Sequence, residues 1–423
     1  MKKIELYDKY GNLNTGMELV HKGTELMKEI TSMGYSTYIV GGCVRDLLMG
    51  KTPHDIDIAT NMPIDVIKQH YNTIEYGGGE RHGTVIVHHQ GEDYELTQFR
   101  SESTYSDNRR PDEVVFVDSF KEDSLRRDFT INAMGIDCDG NVIDYHGGLD
   151  DIERKIIRTV GSPEDRFAED SLRILRAARF ASRLKFEIDI DTRNAMTKLA
   201  DTVNNVSDER IRDEFCKSMN QHYSFGVFIR YLNELQILHK VFPQVKSHVI
   251  PSICRADSTD KILNFALLFQ PKYISITENN AISRLKLTNE ELKVYQYCTH
   301  NESLMRVIGD GTQHESKVKM VMHPSIHYLM KYYKAIYRED VNQGHILHYR
   351  VMNEVYDLDK EVNLYISSLG ITGKKFGHTV SYYKEWVFAY YHRHLTLPLT
   401  IEWQNKINDF INSPSTKLFW ENI

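Results

Sequence analysis

The stretch HDIDIAT, residues 54–60, sets two aspartates two positions apart between isoleucines. Alternate side chains of a strand share a face. Ile56 and Ile58 are therefore expected to enter a core, and Asp55 and Asp57 to project together from the other side. Like charges at that separation repel. A solvated edge tolerates the repulsion, and a divalent cation held between the carboxylates turns it to use. A D-x-D motif alone supports either reading, so its surroundings must decide.

Just upstream, STYIV ends in the glycines of VGGCVRD (40–46), and a short helix is expected to follow. Glycine lets backbone N–H groups approach a phosphate, and a helix start adds positive potential. Arg45 can clamp a phosphate oxygen. One helix and one turn lie between this segment and Asp55, which predicts glycines (Gly42 among them) and carboxylates at neighbouring strand ends. A helix start is also expected at Thr60-Asn61. Downstream, TVIVHH (84–89), YELTQF (94–99), 113–117 and 140–145 read as strands. Glu95 is a candidate third carboxylate, which two-metal nucleotidyl transfer needs for bridging or for proton removal. In SLRRDFTINAMG (124–135), Arg127 is read on a triphosphate or sugar and Asp128 on ribose hydroxyls, a contact that selects ribonucleotides. A helix cap with two surface arginines is the structural alternative.

RFAEDSLRILRAARFASRLKF (166–186) reads as one helix, with Asp170, Arg173, Arg176 and Arg179 recurring every three residues opposite an apolar side. Three stacked arginines without interspersed acids repel one another, a cost that a bound anion such as a triphosphate would offset. Asp170 and Arg173 also suit a particular pair of bases. Cytosine and adenine both present an exocyclic amine beside an acceptor nitrogen, which a carboxylate and a guanidinium complement. Uracil and guanine present a carbonyl and an N–H there, so both contacts fail. VSDERIRDEFCK (206–217) reads as a capped helix start with a supporting role.

The chain has 423 residues, 41% of them hydrophobic and 26% charged, with formal net charge −7. That length exceeds one core and suits about three domains. Global charge neither announces nor excludes a nucleic-acid binder, which needs only a local basic surface. Five scattered cysteines without C-x-x-C spacing point to a reduced, cytoplasmic setting without structural zinc. No signal peptide or membrane span is expected. After a helix over 17–33, a mixed α/β domain ends near 150, and everything beyond reads as helical, with cuts near 225 and 330. The polar segment 100–113 reads as a loop.

Taken in order, VGGCVRD, HDIDIAT, GGGERHGTVIV, YELTQFR, SLRRDFTINA, RFAEDSLRILRAARF and VSDERI resemble the class II, bacterial-type CCA-adding tRNA nucleotidyltransferases of the DNA polymerase β-like superfamily. The resemblance covers roughly residues 35–215. It implies an α/β nucleotidyltransferase head with a mixed sheet (17–150), then an all-α neck (151–225), body (226–330) and tail (331–423). It implies Mg²⁺ on Asp55 and Asp57, with Glu95 similar to the third carboxylate. Gly42, Arg45 and Arg127 resemble nucleotide contacts, as Asp170, Arg173, Arg176 and Arg179 resemble the base-reading group. The implied reaction is template-independent addition of CCA to a tRNA 3′ end from CTP and ATP. Addition of CC or A alone, or bacterial poly(A) synthesis, is the alternative within the superfamily. The His82-Gly83-Thr84 form of the ERHGT segment resembles the CCA type, and Tyr105, Asp107, Arg109, Arg110 and Pro111 resemble an intact switching loop. Outside it, a non-catalytic RNA-binding module would have lost Asp55 or Asp57, and modification of a protein or another RNA is countered by the long helical half.

Overall fold

A computed structural model describes residues 2–6, 13–74, 83–102, 114–222, 224–270, 284–306, 320, 323–338, 361–394 and 400–421. Most of the 100–113 segment, with Tyr105, Asp107, Arg109, Arg110 and Pro111, and Glu80, Arg81 and His82 lie outside the described residues. The chain forms two compact units, Met1–Leu292 and Lys293–Ile423. This division falls between the cuts expected near 225 and 330. Among the described residues, no helix is long and apolar enough to cross a membrane.

The first unit begins with helix α1 (Glu18–Ser32). Its Leu26, Met27 and Ile30 are fully buried and pack in one core with Ile39, Ile58, Val85 and Leu96 of the sheet. The strands are β1 (Thr37–Val40), β2 (Asp57–Thr60), β3 (Asn72–Ile74), β4 (Thr84–His89), β5 (Glu92–Gln98), β6 (Arg100–Glu102), β7 (Val114–Phe116), β8 (Gly135–Ile136) and β9 (Val142–Ile143). Seven of them form one sheet in the order β3-β4-β5-β2-β1-β8-β9, in which β2 and β5 are parallel and the other neighbours antiparallel. The mixed sheet expected of the head is present. β6 and β7 stand apart as a two-stranded ribbon.

Two helices connect the first strands, α2 (Gly42–Leu48) after β1 and α3 (Ile64–His70) after β2. The second starts later than Thr60-Asn61, because the Thr60 hydroxyl accepts from the Met62 N–H and Pro63 then fixes the entry. Further along lie α4 (Phe120–Leu125) and α5 (Gly148–Arg154).

The helix expected over 166–186 is two helices, α6 (Pro163–Glu169) and α7 (Leu172–Leu184). Asp170 is extended between them, at φ −144° and ψ 101°. Its carboxylate accepts from the Leu172 N–H at 3.1 Å, so a short polar side chain takes the place of the helical backbone bond. After α8 (Ile190–Lys198), α9 (Asp208–Ser218) lies against α7. Buried Arg179 and buried Glu214 pair across that contact. The first unit then continues through helices including Ser224–Glu234, Ile250–Ala256 and Lys261–Leu268.

The second unit is helical where described. Its longest helix, Gly373–His394, and the helix Thr400–Asn412 contribute Tyr383, Val387, Trp403 and Ile407 to a separate core.

Removing one partner of a buried ion pair leaves an unmatched charge. Glu214→Ala is expected to cost about 3–5 kcal/mol in urea unfolding, whereas Arg179→Met with Glu214→Leu is expected to cost much less. Equal losses in the two variants would contradict this account.

Candidate nucleotidyl-transfer site

The antiparallel register of β1 and β2 pairs Val40 with Asp57. The glycine turn after β1 therefore lies beside the carboxylate that opens β2. Gly41 has φ 76° and ψ −140°, a conformation that L side chains avoid. A Cβ there would lie 3.4 Å from Asp57 Oδ2 and 3.8 Å from Arg127 Nη1. Gly42 is under less constraint, since its Cβ would meet only the Arg45 guanidinium at 3.4 Å. The sequence pattern points to the second glycine, and the backbone makes the first the indispensable one.

The alternation expected of HDIDIAT is present at residue level, with Ile56 and Ile58 buried and Asp55 and Asp57 exposed. The strand itself begins only at Asp57, so Asp55 sits just before it. Both aspartates line a cavity of about 830 Å³, together with Gly42, Arg45, Arg127 and Asp128 from the head and Asp170, Arg173, Arg176 and Arg179 from α7 and the break before it. Glu95 is the register partner of Asp57 on parallel β5. It is exposed and is not part of the described lining of this cavity.

Asp57 remains open to water yet is enclosed by the cavity wall. Desolvation, then the negative charges of Glu95 and Asp55, push its carboxyl up to about 6, against the pull of Arg127. Two hard oxygen donors with a shortage of positive charge are what a divalent cation fits. Among the described residues no group of three His, Cys, Asp or Glu is arranged to hold a metal, so the fit rests on the aspartate pair.

The arginines are not left without acids. Arg173 pairs with Glu169 at 2.6 Å, Arg176 takes Asp128 through Nε and Nη2 at 2.8 and 2.6 Å, and Arg179 binds Glu214. The expected repulsion along α7 is thus met by carboxylates from α6, the head and α9, and an anion is not needed to offset it. Arg126 and Arg127 share fully buried Asp123 at 2.6 and 2.9 Å. Burial raises the Asp123 carboxyl, but both guanidiniums outweigh it and hold it below the usual range.

Asp128 is also committed within the chain. Its Oδ1 accepts from Phe129 N and Asn132 Nδ2, and its Oδ2 accepts from Arg176. Burial opposes ionisation, and Arg176 prevails, so this carboxyl too lies below its ordinary value. Asn132 in turn accepts from Arg45 Nη1 at 2.7 Å.

Asp170 and Arg173 are joined through the backbone, where the Arg173 N–H donates to the Asp170 carbonyl at 3.0 Å, and their side chains have further partners of their own. Asp170 receives a two-pronged bond from Arg210 at 2.7 and 3.1 Å, and Arg173 also donates to the Arg126 carbonyl. Arg210 belongs to the segment read as a capped helix start. Ser207 occupies the N-cap position of α9 without a side-chain cap bond, and the contact with Asp170 comes from the arginine three residues later. Its R-x-x-D-E neighbourhood gave no signal, because the partner lies 40 residues away.

Residues 37–158 match the family model described as the poly(A) polymerase head domain, and 185–249 match one described as a probable RNA and SrmB binding site of polymerase A. The class is thus a nucleotidyltransferase head followed by a helical region. A CCA-adding enzyme of Lactobacillus gasseri is 49% identical over 291 residues, covering 67% of this chain and 69% of the relative. The chain belongs to the CCA-adding enzyme family. The match to the enzyme of Lactobacillus johnsonii, 48% identical over 206 residues, spans about half the length of that relative, 51%, and 48% of this chain. The crystal structure of the Bacillus stearothermophilus CCA-adding enzyme with CTP superposes with TM-score 0.68 at 27% identity, covering 89% of this chain and 94% of that one. The fold is shared, at 21% identity and TM-score 0.60, with a tRNA nucleotidyltransferase complexed with a primer tRNA and an ATP analogue, covering 80% and 99%.

The raised Asp57 carboxyl has a consequence for the metal-free protein. Its folded value, about 6, lies above the ordinary 3.8, so the folded chain keeps a proton that the unfolded chain releases between those values. Stability from this group therefore falls as pH rises through the window. In EDTA, Asp57→Asn is expected to raise the melting temperature at pH 7.5 by roughly 2–4 °C and by less at pH 5. A destabilising effect at pH 7.5 would refute this.

Proposed function

We propose that the chain adds CCA to the 3′ end of tRNA from CTP and ATP without a nucleic-acid template. The observation that carries this reading is one arginine-lined cavity that brings Asp55 and Asp57, the latter beside Gly41, together with Asp170 and Arg173. Family membership gives the chemistry its context, and it implies dependence on a divalent metal.

On this reading Asp55 and Asp57 hold Mg²⁺, the ion we propose for the pair. When bound, such an ion supplies Lewis-acid stabilisation to the phosphate and lowers the pKa of the attacking hydroxyl. The rest falls to the chain itself. Gly41 leaves room for a phosphate beside Asp57. Arg45 and Arg127 face the triphosphate and stabilise charge developing as pyrophosphate leaves. Arg176 and Arg179 line the same wall. Asp170 accepts from the exocyclic amine of cytosine or adenine, while Arg173 donates to the adjacent ring nitrogen. Asp128, whose oxygens are occupied, serves chiefly to position Arg176 and Asn132. Glu95 acts on the site through its charge on Asp57. A tRNA-binding role for the helical tail, residues 331–423, and a cytoplasmic location belong to the same proposal.

The test is primer extension on tRNA transcripts ending before CCA, after C and after CC, with Mg²⁺ and CTP, ATP or both. Ordered growth to a three-nucleotide end is expected, reduced by roughly 10²–10³-fold or more in Asp55→Ala and Asp57→Ala. Growth that stops at CC, or starts only there, would make this a partial enzyme. Long A tails would favour poly(A) synthesis, the reading that the head-domain match also allows.

A further inference from the structure

Most of the arginines lining the cavity are paired with acids of the chain. Arg45 pairs with Asp46, Arg126 and Arg127 with Asp123, Arg173 with Glu169, Arg176 with Asp128, Arg179 with Glu214, and Arg210 with Asp170. Arg183 and Lys217 line the same cavity. Among the described residues, neither has a carboxylate within ion-pair distance.

Their placement is regular. Arg183 lies one turn beyond Arg179 on α7, and Lys217 one turn beyond Glu214 on α9. Both therefore follow directly on the buried Arg179–Glu214 pair that joins the two helices. Lys217 is two turns from Arg210 and shares its face. The far end of the groove is thus positively charged, about 15 Å along α7 from Arg173 at 1.5 Å per residue. Arg183 is half-buried and Lys217 exposed, an arrangement that offers charge to a ligand arriving from solvent.

Arg183 also lines a second cavity, of about 250 Å³, together with Lys185, Glu187, Gln221, His222 and Tyr231 among others. It therefore stands between the main cavity and a neighbouring one that carries Lys185 and His222 beside the ring of Tyr231, with Glu187 the acid among them. Basic grooves interleaved with aromatic rings suit a single nucleic-acid strand. A nucleoside triphosphate ends at its last phosphate and needs no such neighbouring cavity.

We infer that Arg183 and Lys217 form a subsite for backbone phosphates of the RNA acceptor strand, separate from the cations that meet the incoming nucleotide. This rests on the nucleotidyl-transfer reading above, and its test can fail independently of it. Arg183→Gln, Lys217→Gln, the double variant and Arg183→Lys are compared with the unaltered full chain. Two readouts are used: steady-state kinetics on a tRNA transcript lacking CCA, and direct RNA binding by fluorescence anisotropy without nucleotide. The double variant is expected to raise the KM for tRNA and the RNA Kd roughly tenfold. The slope of log affinity against log salt should become shallower by about 1.4, the change expected when two phosphates of a single strand are no longer neutralised. The KM for CTP and kcat at saturating tRNA should stay within about twofold, and Arg183→Lys should recover most of the loss.

A raised KM for CTP with unchanged RNA binding would hand these cations to the nucleotide and overturn the assignment. Unchanged values throughout would overturn it as well. RNA binding weakened as expected in a chain that incorporates nothing on any transcript would sustain the subsite and sink the proposed reaction.

Discussion

The carboxylate of Asp128 is the point on which the rest of the site depends. It stands at the boundary between the sheet-bearing part of the first unit and the helices that follow. One oxygen takes the Phe129 N–H and the Asn132 amide, and the other takes the Arg176 guanidinium. From there the network runs through Asn132 to Arg45 and Asp46 on one side. On the other it reaches Glu214 and Arg179 through Arg176, whose Nη1 is 3.8 Å from Glu214. Phe180 lies against this network, with the guanidiniums of Arg45, Arg176 and Arg179 at 5.3, 5.4 and 4.2 Å from its ring. Buried charges are costly to desolvate, and this one is accepted because every lone pair is used. The result is a fixed distance between the glycine turn and α7, and therefore a cavity of defined width.

Carboxylates in the cavity wall and directly behind it are driven in opposite directions by their neighbours. Asp123 and Asp128 are buried more deeply than Asp57, yet both stay below the ordinary value because guanidiniums touch them. Asp57 is raised by desolvation and then by the negative charges of Glu95 and Asp55, which Arg127 offsets only in part. The separation tells structural from reactive groups. A carboxylate already neutralised by the chain has no need of a ligand, whereas one held among other acids is stabilised by any cation that arrives. The same logic sorts the arginines. Those on α7 up to Arg179 answer acids of the chain and hold the wall in shape.

How much of this was legible in the sequence depends on the range of the interaction. The alternation of HDIDIAT and the glycine turn are local, and both the buried isoleucines and the adjacency of turn and aspartate followed from spacing alone. The register Val40 to Asp57 needs only one intervening helix. The break at Asp170 was missed because 3.6-residue periodicity runs through it, and the competing bond from its own side chain leaves that periodicity intact. The acids that answer the arginines were missed for a different reason. Asp128 and Glu214 lie 48 and 35 residues from their partners, and no periodic pattern connects them. Glu95 shows the converse: its register with Asp57 makes it a neighbour in the sheet without bringing it into the cavity lining.

Arg210 gives the proposed base reading its physical basis. A carboxylate free to rotate would accept from any donor, and would discriminate poorly between amine and carbonyl edges. Asp170 is held at both oxygens by a planar fork, and its Oδ1 also accepts from Leu172 N. Oδ2 keeps a lone pair for one further donor, in one direction. Arg173 is similarly fixed, through Glu169 and the carbonyls of Arg166 and Arg126. Each of the two side chains is thus clamped by a third party, at the break where α6 ends and α7 begins. Discrimination against a carbonyl edge then comes from the unpaired acceptors such a base would bury. The helix break, which periodicity hid, frees the Asp170 side chain from the α7 stripe and lets α9 set its direction.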